Sequence, residues 1–469
     1  MQRKILIKGT LILTFTGIAT RLIGFFYRIF LSRSFGETAV GLYQLIFPVY
    51  ALAISFTSAG IQTAVSRSVA REHTLHRDKK CTCLLYTGIG LSFLLSMITM
   101  YLLQHYNSAI AIHFLHEPRC MFSITAMSYA IPFASIHSCI CGYYLGLKQT
   151  RIPAFSQLIE QTSRVVFVCL LFTVFTRNGS HANVALAVAG LAAGEFFSMS
   201  YSLYILRSKQ GITLAHSQAT PSMFLSSLKE LTALSVPLTA NRILLNILQS
   251  IEAVSIPVQL RVFGMDTNNA LRMYGVLTGM ALPLILFPTA VSNSIASMTL
   301  PAIAELQASR NHTAIKIFVS RLCLGSLLLG AMCSVVFLFG GSLAGIWLFH
   351  SSLAGKFITT LAWICPFLYT NSYPYKHNQW SGQTIYFFSV QQSSPDHPDS
   401  EHLHIYSAER YLRLFNRIII QSGTSVLFVS SVFIPIFPKG RDIIRATPIK
   451  DVAPDFIVLI SLSFVILLS

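Results

Sequence analysis

Two arginines in the first apolar stretch are the residues of this sequence best suited to bind a ligand. Arg21 and Arg28 stand seven residues apart. Seven residues make about two turns of helix, so both guanidinium groups lie on one face. A guanidinium offers a planar fork of donors that matches phosphate oxygens, and two of them suit a pyrophosphate. The alternative is that Arg28 extends toward an interface while Arg21 pairs with an acid.

A second set of ionisable residues lies in later apolar stretches. Charged side chains at membrane depth are costly, so they face a cavity or a partner and mark functional positions. Glu160 and Arg164 are spaced i,i+4, which permits an intrahelical ion pair. Glu252 is a candidate ion or proton site, and a proton relay or a neighbouring arginine would explain Glu195. The candidate substrate-binding residues are therefore Arg21, Arg28, Glu160, Arg164 and Glu252.

The sequence lacks the usual signatures of catalysis. It contains no G-x-x-x-x-G-K-[ST] loop and no convincing nucleophile, base and acid set. The C-x-C pairs Cys81 with Cys83 and Cys139 with Cys141 have no histidines at zinc-ligand spacing, so they read as small core residues. We expect neither an enzyme nor a bound cofactor or metal. Transport, if it occurs, would draw on an ion gradient or the membrane potential, with a coupling ion as a possible partner.

Composition indicates that these residues sit in membrane helices. The chain has 469 residues, of which 53% are hydrophobic and 11% charged, against about 25% charged in soluble domains. A bilayer core of roughly 30 Å takes about 20 apolar residues per helix. Apolar runs predict ten spans, at 9–31, 46–66, 82–103, 121–146, 153–175, 183–205, 231–255, 273–297, 315–338 and 357–371. The fold class is therefore an all-α polytopic transmembrane bundle.

The basic residues predict an orientation. The net charge of +17 arises mainly at the N-terminus and after spans two, four, six and eight, while the intervening loops hold fewer Lys and Arg. Because basic loops stay in the cytoplasm beside anionic membrane lipids, this alternation places the N-terminus there, in the cell membrane. No basic stripe is interleaved with aromatic residues, so nucleic acid is not an expected partner.

The longest basic loop divides the chain. It predicts a six-helix lobe at 1–206, a cytoplasmic linker at 207–230 and the start of a second lobe at 231–371, followed by a divergent or frameshifted tail at 372–469. The segments around spans two and eight also resemble each other, since each carries a Tyr and Gly pair followed by Phe-Pro. Transporter halves often arise by duplication.

Five short motifs of the chain are distinctive: Thr20 to Arg28, Gly41 to Gln44, Ala59 to Arg67, Gly142 to Gly146 and Tyr274 to Pro288. They resemble the stage V sporulation protein B and polysaccharide biosynthesis (Wzx- and MurJ-like) family of the multidrug, oligosaccharidyl-lipid and polysaccharide exporter superfamily. The resemblance runs to about Tyr369. It implies two helical lobes around a cavity that opens alternately to each side.

The resemblance also implies a function. Members move lipid-linked saccharides of the undecaprenyl-pyrophosphate type, such as the peptidoglycan precursor lipid II, in spore cortex or polysaccharide assembly. Arginines that line the cavity hold the pyrophosphate, and Arg21 and Arg28 correspond by position. The sequence departs from lipid II flippases in having no basic residue between Arg272 and Arg310. Two alternatives stay open: an ion-coupled multidrug antiporter of the same superfamily, and a non-functional truncated remnant that sits in the membrane.

The tail does not resemble the family, which has further membrane helices there. Polar runs such as Gln391 to Glu401 replace apolar ones, and the second lobe is expected to be incomplete. Asn378 to Gln383, read one nucleotide later, permits an Asn-Gly-Leu-Gly-Lys-like turn similar to the family's. The hypothesis is a frameshift between about Tyr369 and Tyr373. The alternative is a divergent C-terminus with a span at 418–437.

The frameshift hypothesis predicts that the coding DNA, read one nucleotide later from about codon 370, encodes an apolar continuation. Sequencing both strands of the region checks this. A next frame that is stopped or polar through codon 400 would refute the hypothesis.

The charge alternation predicts a cytoplasmic loop near residue 215 and an external loop near residue 180. Green fluorescent protein fused after residue 215 should fluoresce, and alkaline phosphatase fused after residue 180 should be active. The opposite pair of results would reverse the orientation.

Overall fold

The computed structural model describes residues 2–178, 184–210, 221–262, 264–292, 295 and 312–370. Within these residues every regular element is helical. The main helices are α1 (Gln2–Phe35), α2 (Glu37–Ile54), α3 (Gly60–Thr74), α4 (Asp78–His105), α5 (Asn107–Ala109), α6 (Met121–Ser128), α7 (Ala130–Gly146), α8 (Arg151–Arg177), α9 (Val184–Gln210), α10 (Pro221–Val262), α11 (Thr267–Gly275), α12 (Leu282–Leu286), α13 (His312–Phe349), α14 (Ser352–Leu361) and α15 (Cys365–Thr370).

The helices agree with the predicted spans. Eight segments of the described chain are long and apolar enough to cross a membrane, or nine when Pro118–Ser128 and Ala130–Gly146 count as one bent span. The first predicted span lies within α1, and each of the other nine overlaps one of these segments. The all-α membrane class is therefore confirmed. The tail at 372–469, with the span proposed at 418–437, lies outside the described residues.

Local breaks interrupt several of the helices. Gly36, at a φ of 82°, takes the left-handed conformation that turns the chain from α1 into α2. A π-helical turn, Ser55–Ala59, joins α2 to α3, and another, Val276–Ala281, joins α11 to α12. The helices before and after Tyr129 bend by 44°. The break at Tyr129 thus redirects a long apolar segment.

The chain divides into two compact units. The first runs to Pro283 and includes Leu348–Ser351, and the second begins at Leu284. The first unit thus contains the six predicted spans of the N-terminal lobe together with α10 and α11. The lobe and linker boundaries at 206 and 230 stay a prediction.

Glycines bring the helices of the first unit into backbone contact. A Cβ atom at Gly41 of α2 would lie 2.2 Å from the carbonyl oxygen of Leu271, and one at Gly275 would lie 2.6 Å from the Cα of Gly41. These glycines belong to the two Tyr and Gly segments that resemble each other in sequence. Small residues permit close packing where apolar lipid provides little driving force for helix association.

A network of ion pairs fixes the beginning of α10 against α3 and α4. Glu72, whose side chain is 1% exposed, accepts bonds from Arg71 at 2.8 Å and Lys80 at 3.2 Å. Both cations also reach Glu230 of α10, at 2.9 and 3.3 Å. Part of the positive charge counted after span two is therefore neutralised by acids of the same unit.

Replacing Gly41 with leucine should destabilise the first unit. The new side chain meets backbone atoms of α11 that cannot move aside independently, and such overpacking costs roughly 1–3 kcal/mol or more. Thermal unfolding of the purified protein in detergent measures the loss.

Gly90→Leu is the matched control, because Gly90 lies on an exposed face of α4 with nothing within 4 Å of its added Cβ. Equal melting temperatures for the two variants would show that the α2–α11 contact adapts freely.

Candidate functional site

A cluster of buried polar side chains lies where α7, α8 and α9 meet. Its ionisable members are His137, Glu160, Arg164 and Glu195, with side chains 10–14% exposed. Glycines on α9 create the room. A Cβ at Gly194 would lie 2.8 Å from the carbonyl oxygen of Glu160. Close packing therefore places both acids in one low-dielectric space.

The first contact of the cluster is the ion pair expected from sequence spacing. Arg164 Nη2 donates to Glu160 Oε1 at 2.5 Å. Gln161 Nε2 donates to the same oxygen at 3.3 Å. The Nε of Arg164 is buried and finds no hydrogen-bond acceptor among the described residues. The pair is confirmed, and one Arg164 donor is left over for another acceptor.

Glu195 is held by two other helices. The Tyr50 hydroxyl of α2 donates to Glu195 Oε1 at 3.1 Å. His137 Nδ1 of α7 lies 3.2 Å from Glu195 Oε2. The histidine thus explains this buried acid, and Arg164 also interacts with it electrostatically.

Two serines contact the other nitrogen of the histidine, and a third serine bonds one of them. His137 Nε2 lies 2.7 Å from the hydroxyl of Ser156 and 2.8 Å from that of Ser198. Ser156 in turn lies 2.9 Å from Ser198 and 3.0 Å from Ser202. Since a hydroxyl both donates and accepts, this group can bond either protonation state of the ring.

The cluster has an excess of negative charge, which one further positive charge would balance. The nitrogen or oxygen ligand atoms of His137, Glu160 and Glu195 lie within 4.8 Å of one another. Two carboxylates and one guanidinium sum to about −1, counting formal charges. One proton on the histidine, or one monovalent cation, makes the group neutral, whereas a divalent cation leaves an excess positive charge.

Helix α1, which carries Arg28, contacts the helix that carries Glu195. The hydroxyl of Tyr27, the residue before Arg28, donates to the carbonyl of Ala187 on α9 at 3.3 Å. The ring of Tyr27 also packs edge-on against that of Tyr43 on α2, with centroids 6.4 Å apart. Tyr27 therefore joins α1 to α2 and α9.

The remaining predicted residues lie apart. Arg21 is on α1, two turns before Arg28, and its side chain is exposed while Arg28 is half-buried. Glu252 is half-buried on α10 and interacts electrostatically with Tyr274 of α11. Of the five predicted residues, Glu160 and Arg164 make direct contact. Arg28 follows Tyr27, which contacts α9, whereas Arg21 and Glu252 lie apart from the cluster.

Sequence reasoning missed several members of the cluster. His137 is an ionisable residue in a predicted span, so the rule that drew attention to the acids applied to it as well. Ser198 and Ser202 are spaced i,i+4, which signals a polar stripe on α9. No such signal identifies Tyr50 or Ser156, whose partners lie on other helices.

Sequence comparisons connect the chain to known proteins. A family model described as polysaccharide biosynthesis protein matches residues 6–307. Stage V sporulation protein B of Bacillus subtilis (strain 168) is 30% identical over 312 residues, which cover 65% of this chain and 59% of that protein. Lipid II flippase MurJ of the same organism is 26% identical over 226 residues, covering 45% of this chain and 41% of the relative. The matched region is less than two thirds of either relative's length.

Solved structures with the same fold are transporters. The chain aligns with an inward-facing multidrug resistance MATE family transporter of the MOP superfamily at a TM-score of 0.54, with 14% identity and coverage of 75% of this chain and 80% of the other. A eukaryotic MATE transporter aligns at 0.51, with 11% identity and coverage of 78% and 80%. At such identities the likeness shows the fold alone, and it confirms the predicted transporter architecture.

Proposed function

The chain belongs to the polysaccharide biosynthesis protein family, and we propose that it is a flippase for a saccharide linked to undecaprenyl pyrophosphate. The family membership and the MATE-type fold support a membrane transporter of the flippase kind. The cargo, such as a peptidoglycan precursor, belongs to the proposal. So do a place in spore cortex or polysaccharide assembly and a cytoplasmic N-terminus in the cell membrane.

The observation that carries the proposal is the pair of arginines on α1. Among the described residues neither Arg21 nor Arg28 has an acidic partner within ion-pair distance, and the two stand on one face of the helix. An unpaired guanidinium in an apolar protein surface is costly unless an anion neutralises it. A pyrophosphate supplies that charge, and its oxygens match the donor fork of arginine.

The names of the relatives agree with this cargo. One relative is described as a lipid II flippase, and another as stage V sporulation protein B. They support a lipid-linked saccharide and a sporulation role for this chain. The roles of individual residues rest on the geometry described above.

The buried acids argue against a multidrug antiporter that holds organic cations. Such a carrier needs a carboxylate that is free to meet its cargo. Glu160 is bonded to Arg164, and Glu195 is bonded to Tyr50 and His137. The charged groups left to meet a cargo are therefore Arg21 and Arg28 on α1, which favours an anionic cargo.

Replacing Arg28 with alanine should slow lipid flipping about tenfold or more, because a hydrogen bond to a charged group contributes about 1.5–3 kcal/mol. The protein is reconstituted in liposomes that contain a nitrobenzoxadiazole-labelled undecaprenyl-pyrophosphate N-acetylglucosamine. Dithionite quenching reports how much probe has reached the outer leaflet. Arg28→Lys should be intermediate, since lysine keeps the charge without the fork, and Arg21→Ala should also slow the reaction.

Arg177→Ala is the matched control, because Arg177 is exposed at the end of α8. Arg28→Ala protein that inserts normally and flips the probe at the unaltered rate would overturn the proposal. Ethidium export by the unaltered protein without lipid flipping would favour the antiporter. Failure to recover stable full-length protein from membranes would favour the inactive remnant.

A further inference from the structure

We propose that His137 is a reversible proton-binding site that couples a proton gradient to cargo movement, a step that rests on the proposed flippase function. The site comprises the imidazole, the Glu195 carboxylate and the hydroxyls of Ser156 and Ser198. Its ligand is a single proton exchanged with water.

Both nitrogens of the His137 ring have hydrogen-bond partners in the neutral and in the protonated state. Nδ1 faces Glu195 Oε2 at 3.2 Å, so the proton of the neutral ring belongs on Nδ1. Nε2 then accepts a hydrogen bond from the hydroxyl of Ser156 or Ser198. After a proton binds, Nε2–H donates to the same oxygens, and the Ser156 hydroxyl turns to donate to Ser202. Every buried polar atom of this group keeps a hydrogen-bond partner in either protonation state of His137. Neither state therefore carries the cost of an unpaired polar group, so the ring can take up and release the proton.

Charge balance favours a ligand with a single positive charge, and the hydrogen-bond partners of the ring select the proton. When ionised, Glu160 and Glu195 carry two negative charges at membrane depth, and Arg164 offsets one of them. Protonated His137 offsets the other, so the four side chains become neutral. Since the cost of an uncompensated charge rises steeply in a low dielectric, binding of the proton relieves the excess negative charge.

The groups that face His137 come from several helices. Glu195 approaches from α9, the Glu160 carboxylate of α8 lies within 4.8 Å of the ring nitrogen, and Cys141 stands one turn along α7. Tyr50 of α2 bonds the far oxygen of Glu195. Toward α3 and α4, α7 instead presents Gly142 against Gln62, and Cys139 against the carbonyl of Gly88.

The cluster connects to the cargo site through α1. Tyr27, the residue before Arg28, donates its hydroxyl to the carbonyl of Ala187 on α9, the helix that carries Glu195. A deprotonated cluster carries a net negative charge near the cargo site and weakens binding of an anionic headgroup, whereas a protonated cluster is neutral. Linkage is reciprocal, so cargo binding must also favour proton uptake.

A cargo-free measurement tests the proton site directly. Proteoliposomes adsorbed on a solid-supported membrane receive a jump from pH 9 to pH 6, a range that extends above ordinary histidine titration because the carboxylates beside the ring favour its protonated form. The unaltered protein should give a transient charge displacement, and His137→Gln should lose it. His113→Asn is the matched control, because His113 is exposed in the turn after α5, and it should keep the signal.

A second variant retains the histidine in case His137→Gln fails to fold. Ser156→Ala with Ser198→Ala removes the acceptors of Nε2–H. Because the bond from a charged donor is the stronger one, the midpoint of the displacement should move to lower pH. An unshifted midpoint would overturn the role of the serines. A charge displacement that persists in folded His137→Gln would overturn the proton site. So would a displacement in the unaltered protein that follows a sodium jump at constant pH and not the pH jump.

The link to cargo is measured separately. Affinity for the labelled undecaprenyl-pyrophosphate probe should be roughly fivefold or more higher at pH 6 than at pH 8 in the unaltered protein, and independent of pH in His137→Gln. Equal pH dependence in both proteins would refute the coupling. If the probe does not bind at all, the flippase proposal fails while the cargo-free displacement still decides whether His137 takes up a proton.

Discussion

The constraint on which the first unit depends is that charge buried in a membrane must be compensated nearby. Glu160 and Glu195 cannot remain ionised in an apolar bundle without cations beside them. Arg164 compensates the first at 2.5 Å, and His137 stands 3.2 Å from the second. These requirements fix how α8 turns toward α9 and which face of α7 meets both. Tyr50 bonds the same carboxylate from α2, so Glu195 joins α9 to α2 and α7, and Ser156 joins α8 to the His137 ring.

Close packing makes the compensation geometrically possible. Gly190 and Gly194 bring α9 so near to α8 that a Cβ at either would overlap its neighbours. Gly41 and Gly275 do the same for α2 and α11, at the two segments whose sequences resemble each other. Lipid offers little hydrophobic gain for pairing such helices, so contact between backbones and a few polar bonds provide the cohesion. A transporter can break and remake contacts of this kind more readily than a deep apolar core.

Whether the contacts of a candidate residue can be predicted from sequence depends on how far along the chain its partner lies. The Glu160–Arg164 pair was predictable because both partners share one helix at i,i+4 spacing. Arg21 and Arg28 were correctly assigned to one helix, yet their different exposure depends on neighbours that spacing does not specify. Glu195 was recognised as a buried acid without a known partner. Its partner, His137, is 58 residues away, and Ser156 meets that ring from a third helix. Glu252 was chosen by the same reasoning as Glu195 but lies beside Tyr274.

The sequence alone determined that the chain is a helical membrane protein, where its first ten spans lie and which family it resembles. Those properties follow from hydropathy, helix period and short contiguous motifs, all of which act over a few turns of chain. Only the tertiary structure decided that His137, Glu195, Glu160 and Arg164 form one compensated cluster and that Tyr27, beside Arg28, contacts α9. The physical reason is that interhelical contacts depend on how each helix is rotated about its axis, and glycine contacts and buried charges set that rotation jointly.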